Sequence, residues 1–218
     1  GTRITKVTPL EGVCAESAGA ITLYLTEQMG IPVGDEDGKT GQTLVKTALA
    51  PMFVVRQLKV DGWFSTNILG NNDGLVLNDP QANKTKVTSK KSVLDSVLGY
   101  PVQDHQVHIH YYRPRGDAKE AWDNIDVLGF VGESMQIKVN FLCKDSILAA
   151  PLVIDLARLL DAAHLAGERG VQHQLSLFFK SPYKNDKHPL VHDLFEQNTM
   201  LRNWVQRVSP KLLGKKAS

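Results

Sequence analysis

Residues 135–143 alternate between apolar and polar side chains, and no other segment limits the possible folds as strongly. Successive side chains of a β-strand point to opposite faces, so this pattern predicts a strand with one buried face. Residues 107–112 alternate in the same way. Residues 122–130 lie between these segments, and we expect them to form the middle strand of a meander. The three strands predict a mostly antiparallel sheet.

The N-terminal part shows a different order of elements. The pattern favours strands at 4–8, 31–34 and 58–67, with helices at 16–29 and 40–56 between them. Strands that alternate with helices are typical of parallel sheets with crossover helices. The first sixty residues therefore read as an α/β unit.

The sequence divides into three predicted regions of different character. Residues 1–60 form the α/β unit, and residues 61–170 form an α+β unit that ends in a long helix at 145–166. Residues 171–218 supply C-terminal helices, including one at 189–208, that pack back on the core. The predicted fold class is thus α/β plus α+β.

Charge and cysteine content exclude several classes of protein. Twenty-five Lys and Arg against 23 Asp and Glu give a net charge of +2, which predicts no partner among nucleic acids. No apolar run approaches the roughly 18 to 20 residues that span a bilayer, so no membrane partner is expected. Cys14 and Cys143 are the two cysteines, which favours a reducing cytoplasm. The histidine spacing predicts no metal site.

The loop at 34–43 is the first candidate binding element, because it joins a predicted strand to a predicted helix. The amide groups at a helix N-terminus attract phosphate, and Thr40, Gly41, Gln42 and Thr43 would supply them. The segment is not a Walker A loop, because Gly34 and Gly38 are separated by three residues instead of four. An ordinary capped helix start is the alternative.

Two further groups of polar residues are candidates. Asn67, Asn71 and Asp73 follow a predicted strand and could hold vicinal hydroxyls, or could simply form a turn. Lys86 and Lys90 are four residues apart and would share one side of a helical turn, although a solvated charged face is the common alternative.

Several motifs together resemble the catalytic half of the myo-inositol-phosphate synthase family. They are NILGNNDG (67–74), DPQ (79–81), K-x-x-x-K (86–90), GDAK (116–119) and DSILAAPLVIDL (145–156). The loop GDEDGKTGQT (34–43) is similar to the family's GDD-x-K-[ST]-GQT loop. Ile68 stands where the family has His, and Lys144 where it often has Glu, which suggests a divergent bacterial-type branch.

The resemblance implies an activity, a cofactor and an assembly. The family is an NAD-dependent isomerase that converts D-glucose 6-phosphate to 1D-myo-inositol 3-phosphate. It does so by oxidation, enolisation, intramolecular aldol cyclisation and reduction. A homo-oligomer, expected to be a tetramer, follows from the resemblance and from an exposed strand edge in the meander. A non-catalytic oligomerisation or sugar-phosphate-binding module is the alternative.

The resemblance also implies roles for individual residues. The implied catalytic residues are the lysines Lys86, Lys90, Lys119 and Lys180. The implied substrate-binding residues are Thr40, Gly41, Gln42, Thr43, Asn67, Asn71 and Asp73. The implied cofactor-binding residues are Asp37, Asp145 and Ser146.

The glycine-rich turn of a dinucleotide site is missing from this sequence. No G-x-G-x-x-G follows a predicted strand, and residues 1–37 resemble only the last strand–helix–strand of a Rossmann unit. The first region is therefore expected to be the remnant of an NAD-binding domain, and this chain alone is not expected to hold NAD.

Overall fold

A computed structural model describes residues 24, 28–34, 38–76, 93–180, 182–183 and 189–214. The strands are β1 (Pro32–Val33), β2 (Lys59–Leu69), β3 (Asp104–Tyr111), β4 (Ala118–Leu128), β5 (Ser134–Lys144) and β6 (Gly170–Val171). The α-helices are α1 (Gly41–Val55), α2 (Asn72–Val76), α3 (Asp145–Leu165) and α4 (Leu194–Gly214), with further helical turns at 93–98. The predicted strand at 4–8 and most of the predicted helix at 16–29 lie outside the described residues.

Within the described residues, the larger sheet has the strand order β3-β2-β4-β5. The β2–β4 and β4–β5 pairs are antiparallel, whereas β2 and β3 are parallel. The predicted strands at 107–112, 122–130 and 135–143 are confirmed, but the predicted meander is wrong because β2 lies between β3 and β4. A parallel pair needs a long crossover connection, which residues 70–103 provide.

The smaller sheet pairs β1 with β6 in parallel, with Pro32 opposite Gly170 and Val33 opposite Val171. Since β1 and β2 belong to different sheets, α1 is not a crossover between neighbouring parallel strands, and that prediction is wrong. The described fold is mixed α/β. The predicted domain boundary at 60–61 lies within β2 (Lys59–Leu69). The domain division and the Rossmann-like remnant stay predictions.

One face of the larger sheet is covered by α1 and by the helical turns at 93–98. The core between them consists of Ala50, Phe53, Val60, Trp63, Leu94, Leu98, Val102, Ile125 and Val127. The rings of Phe53 and Trp63 meet edge to face at 6.3 Å and 77°. Each large apolar side chain buried here contributes about 1.5–3 kcal/mol. This packing holds the second half of α1 against the sheet.

The last helix begins later than the sequence predicts. Asp193 Oδ1 accepts hydrogen bonds from Phe195 N (2.8 Å) and Glu196 N (3.0 Å), so α4 begins at Leu194 and not at position 189. A carboxylate in this position satisfies amides that have no partner within the helix. Trp204 anchors α4, because its Nε1 donates to Glu168 Oε2 over 2.7 Å. None of the helices in the described ranges is both long and apolar enough to cross a membrane.

Candidate functional site

The first turn of α1 presents its amide groups beside an extended residue. Thr40 stands at the N-cap position with φ −123° and ψ 172°, and in the described part of the chain its hydroxyl caps no helix amide. Gly41 has φ +57°, a left-handed conformation that glycine adopts without strain. The positive end of the helix dipole lies here, so this turn favours an anion.

Lys119 brings a positive charge to the same helix end. A Cβ atom added to Gly41 would lie 3.8 Å from both Cε and Nζ of Lys119. Lys119 is 8% exposed and lies on β4 opposite Leu69 of β2. The structure therefore joins the predicted residues 40–43 to one of the four predicted lysines. An ammonium and free helix amides together suit a phosphate.

A buried network of side-chain amides lies beneath this turn. Gln42 Nε2 donates to Asp123 Oδ2 (3.3 Å), Thr66 O (3.3 Å) and Trp122 O (3.4 Å). Asn67 Nδ2 donates to Gln42 Oε1. Asn67 Oδ1 is buried and has no hydrogen-bond partner among the described residues. A buried carbonyl oxygen in that state is rare and needs an explanation.

Asp123 is a member of this network that the sequence analysis missed. Its Oδ1 accepts hydrogen bonds from Trp63 Nε1 (2.7 Å) and Ser65 Oγ (2.5 Å), and the residue is 1% exposed. A signal was available, because an acid at 123 falls on the buried face of β4 between Ala121 and Ile125.

Lys39 is a second residue that the sequence analysis missed. Its Nζ donates to Gln197 Oε1 of α4, and its backbone N donates to Phe178 O over 2.7 Å. Burial lowers the pKa of Lys39 from 10.5 to about 8, against the opposing effect of the Asp193 carboxylate. The family motif GDD-x-K-[ST]-GQT includes this lysine, but the polar loop around it gives no sign that the side chain is buried.

Lys180 follows a segment that lies against the same loop. Phe179 forms an isolated β-bridge with Gly38, and the Phe179 ring would meet a Cβ added to Gly34. Lys180 is the residue directly after this bridge, which places its backbone next to the loop. Its predicted counterpart Lys86 lies outside the described residues, so their approach to a common cavity stays a prediction.

The other predicted site residues have local partners or are not described. Asn71 Oδ1 accepts from Gly74 N over 3.0 Å, as in the turn that the sequence left open, and exposed Ser146 donates to Asp117 Oδ2 over 2.5 Å. Lys90 and Asp37 lie outside the described residues, as do the side chains of Asp73 and Asp145. Within the described ranges, no group of three or more His, Cys, Asp or Glu side chains could hold a metal.

Comparison with known proteins identifies a family that this chain matches. The family model described as myo-inositol-1-phosphate synthase matches residues 41–146, which include the α1 turn, Asn67, Lys119 and Asp123. An inositol-3-phosphate synthase 1 from Bacteroides thetaiotaomicron is 51% identical over 200 residues, covering 87% of this chain and 47% of the relative. The Rattus norvegicus inositol-3-phosphate synthase 1 is 34% identical, covering 83% of this chain and 36% of the relative.

Solved structures show the same similarity. An inositol-3-phosphate synthase from Caenorhabditis elegans superposes with a TM-score of 0.70 at 31% identity, covering 78% of this chain and 37% of its own. A myo-inositol-1-phosphate synthase-related protein from Thermotoga maritima gives 0.72 at 24% identity, covering 87% of this chain and 56% of its own, and supports the fold alone. This chain thus spans about half the length, or less, of the curated relatives that it matches.

Proposed function

Because this chain belongs to the myo-inositol-phosphate synthase family, we propose that it forms the catalytic half of an enzyme that converts D-glucose 6-phosphate to 1D-myo-inositol 3-phosphate. Such an enzyme is an isomerase of the intramolecular lyase type. The observation that carries the proposal is the position of Lys119 beside Gly41 at the N-terminus of α1.

The phosphate of the substrate is proposed to bind at this helix end. The amides of residues 41–43 donate to its oxygens, the Thr40 hydroxyl adds a further donor, and Lys119 neutralises part of the charge. A phosphate held in this way fixes one end of an open-chain sugar. Orientation of the other end is what an intramolecular ring closure requires.

The reacting end of the sugar is proposed to meet Lys86 and Lys180, with Lys90 near the phosphate. Lys86 takes the proton of the hydroxyl that is oxidised, and Lys180 polarises an oxygen in the aldol step. An enolate without a Schiff base needs positive charge at its oxygen, which ammonium groups in a dry site supply. The position of Lys180 directly after the bridge between Phe179 and Gly38 supports its proposed role in the aldol step.

NAD enters the proposal through the family resemblance. When bound, the cofactor supplies hydride acceptance and return. Ser146 is the assigned cofactor residue whose side chain is described, and it is exposed and bonded to Asp117. The 218 residues also contain no two glycines separated by one residue, the spacing with which a Rossmann turn approaches a pyrophosphate. The described residues therefore do not form an NAD cradle by themselves.

We also propose that the full-length protein forms a homo-oligomer, and the family resemblance implies a tetramer. The strand β5 is at the edge of the larger sheet, and its side chains are exposed or half-buried along its whole length. Met135 and Leu142 on this strand and Phe130 before it are exposed apolar residues. An unpaired edge with such side chains favours association with a second copy. Light scattering on the purified full-length protein would measure the mass, and a monomer would contradict this part.

Turnover of glucose 6-phosphate with NAD by the full-length protein tests the activity, with inositol phosphate identified by mass spectrometry and chromatography. We expect product from the unchanged protein, and loss of product on Lys180→Ala and Lys86→Ala. Lys59→Ala is the matched control, because Lys59 is exposed at the start of β2. Absence of product from the unchanged protein, with glucose 6-phosphate still bound, would favour the non-catalytic sugar-phosphate-binding module.

A further inference from the structure

The orientation of the Gln42 amide is fixed by the atoms around it. Asp123 Oδ2, Thr66 O and Trp122 O all lie within 3.4 Å of Gln42 Nε2. A carboxylate and two carbonyl groups only accept hydrogen bonds, so the end of the amide that faces them must be the nitrogen. The oxygen Oε1 is therefore turned toward Asn67.

The orientation of Asn67 follows from that of Gln42. An oxygen at Gln42 Oε1 needs a donor, so Asn67 presents Nδ2 to it and turns Oδ1 away. Asn67 is 0% exposed, and Oδ1 has no partner among the described residues. A chain of amides thus begins at the carboxylate of Asp123 and ends in an unsatisfied acceptor.

We propose that Asp123 is a positioning residue that orients Gln42 and Asn67 so that Asn67 Oδ1 accepts a hydrogen bond from a hydroxyl group of the bound sugar phosphate. Asp123 acts through the two amides and does not touch the ligand. The sugar phosphate as ligand rests on the function proposed above, whereas the orientation of the amides rests on the geometry alone.

The chemistry of Asp123 explains why a carboxylate stands there. Trp63 Nε1 and Ser65 Oγ donate to one oxygen, and Gln42 donates to the other. An asparagine at 123 has a single acceptor oxygen. Its NH2 group would face either Gln42 Nε2 or the donors of Trp63 and Ser65, and two donors would then oppose each other. The amide chain would lose its defined direction.

Asp123→Asn in the full-length protein is the first test, with Ser65→Ala as the matched control. Ser65→Ala removes a hydrogen bond from the same carboxylate but leaves Gln42 its acceptor. We expect Asp123→Asn to raise the KM for glucose 6-phosphate about tenfold, the effect of one lost ligand hydrogen bond, with Ser65→Ala within about twofold. A purely structural role would lower the melting temperature and the yield of active enzyme without changing KM, and that result would overturn the proposal.

Sugar analogues test the polarity of the contact, because fluorine replaces a hydroxyl without being able to donate. We would measure competitive inhibition by glucose 6-phosphates in which each hydroxyl in turn is replaced by hydrogen or by fluorine. At one ring position both analogues should bind about tenfold more weakly than the parent, and Asn67→Ala should abolish that difference. A fluoro analogue that binds as well as the parent at the position sensitive to Asn67→Ala would show a donor at Asn67 and overturn the proposal.

Neutron diffraction from the unchanged protein in deuterated buffer separates this proposal from the proposed function. If the protein neither binds nor converts glucose 6-phosphate, the proposed function fails. The deuterons of Asn67 would then decide the orientation by themselves. Deuterons between Asn67 and Gln42 Oε1 support the amide chain, and deuterons on the opposite side of Asn67 refute it.

Discussion

Because Lys39 is buried, we expect the stability of the protein to rise with pH in the range where this lysine loses its proton. Its pKa is about 8 in the folded protein, chiefly because of burial, and 10.5 when it is solvated. The folded state therefore binds fewer protons than the unfolded state between these values, so the free energy of unfolding rises with pH in this window. The full difference corresponds to about 3 kcal/mol, which opposes folding below about pH 8 and is relieved toward pH 10.5. About 1 kcal/mol of it is relieved between pH 7 and pH 9.

Replacement of Lys39 by methionine removes this titration while keeping a long side chain. We would measure denaturant unfolding of the unchanged full-length protein and of Lys39→Met at pH 7, 8 and 9. The stability of the unchanged protein should rise relative to Lys39→Met by about 1 kcal/mol from pH 7 to pH 9, since all other titrating groups cancel in the comparison.

Lys59→Met is the control, because Lys59 is exposed at the start of β2. Its stability should follow that of the unchanged protein across the same pH range. Parallel pH profiles for Lys39→Met and the unchanged protein would refute the reasoning, since they would mean that Lys39 titrates alike in the folded and unfolded states.

Other perturbations test the phosphate seat and the core. Gly41→Ala should lower stability by about 1 kcal/mol, because φ is +57°, and should raise the KM for glucose 6-phosphate; thermal denaturation and kinetics measure the two effects. Lys119→Met should weaken binding of glucose 6-phosphate and reduce its dependence on salt, measured by calorimetry at two ionic strengths, whereas exposed Lys59→Met should do neither. Phe53→Ala, at a fully buried position, should cost about 3–5 kcal/mol in denaturant unfolding, whereas exposed Val54→Ala should stay within about 0.5 kcal/mol.

The elements of this fold could be predicted from the sequence, but their arrangement could not. The alternation at 135–143 and 107–112 reports which face of a strand is buried, and β5 and β3 are found there. Strand order follows the sequence only as a default, because neighbours along the chain usually pair. The position of β2 between β3 and β4 depends on a crossover connection and leaves no periodic signal.

In the candidate site, too, the local features could be predicted from the sequence, but the contacts between distant residues could not. The turn at 40–43 could be predicted, because a helix start is a local feature of sequence. The hydrogen bond from Gln42 to Asp123 joins residues 81 positions apart, and that from Lys39 to Gln197 joins residues 158 positions apart. No local pattern encodes such pairs. A buried-face acid such as Asp123 can still be suspected from the alternation of β4, which places it among apolar neighbours.

The first turn of α1 is held from two sides by buried polar side chains. Lys39 binds α4 through Gln197, and Gln42 binds β4 through Asp123. Movement of this turn would take Gln197 from the buried Lys39 ammonium and Gln42 from Oδ2 of the buried Asp123 carboxylate. Loss of a hydrogen bond to a buried charged group costs more than loss of an ordinary contact. The amides of the helix turn are therefore held in position before any ligand arrives, so less binding energy is lost to ordering. By this reasoning α4, although distant in sequence, supports the phosphate seat through Lys39.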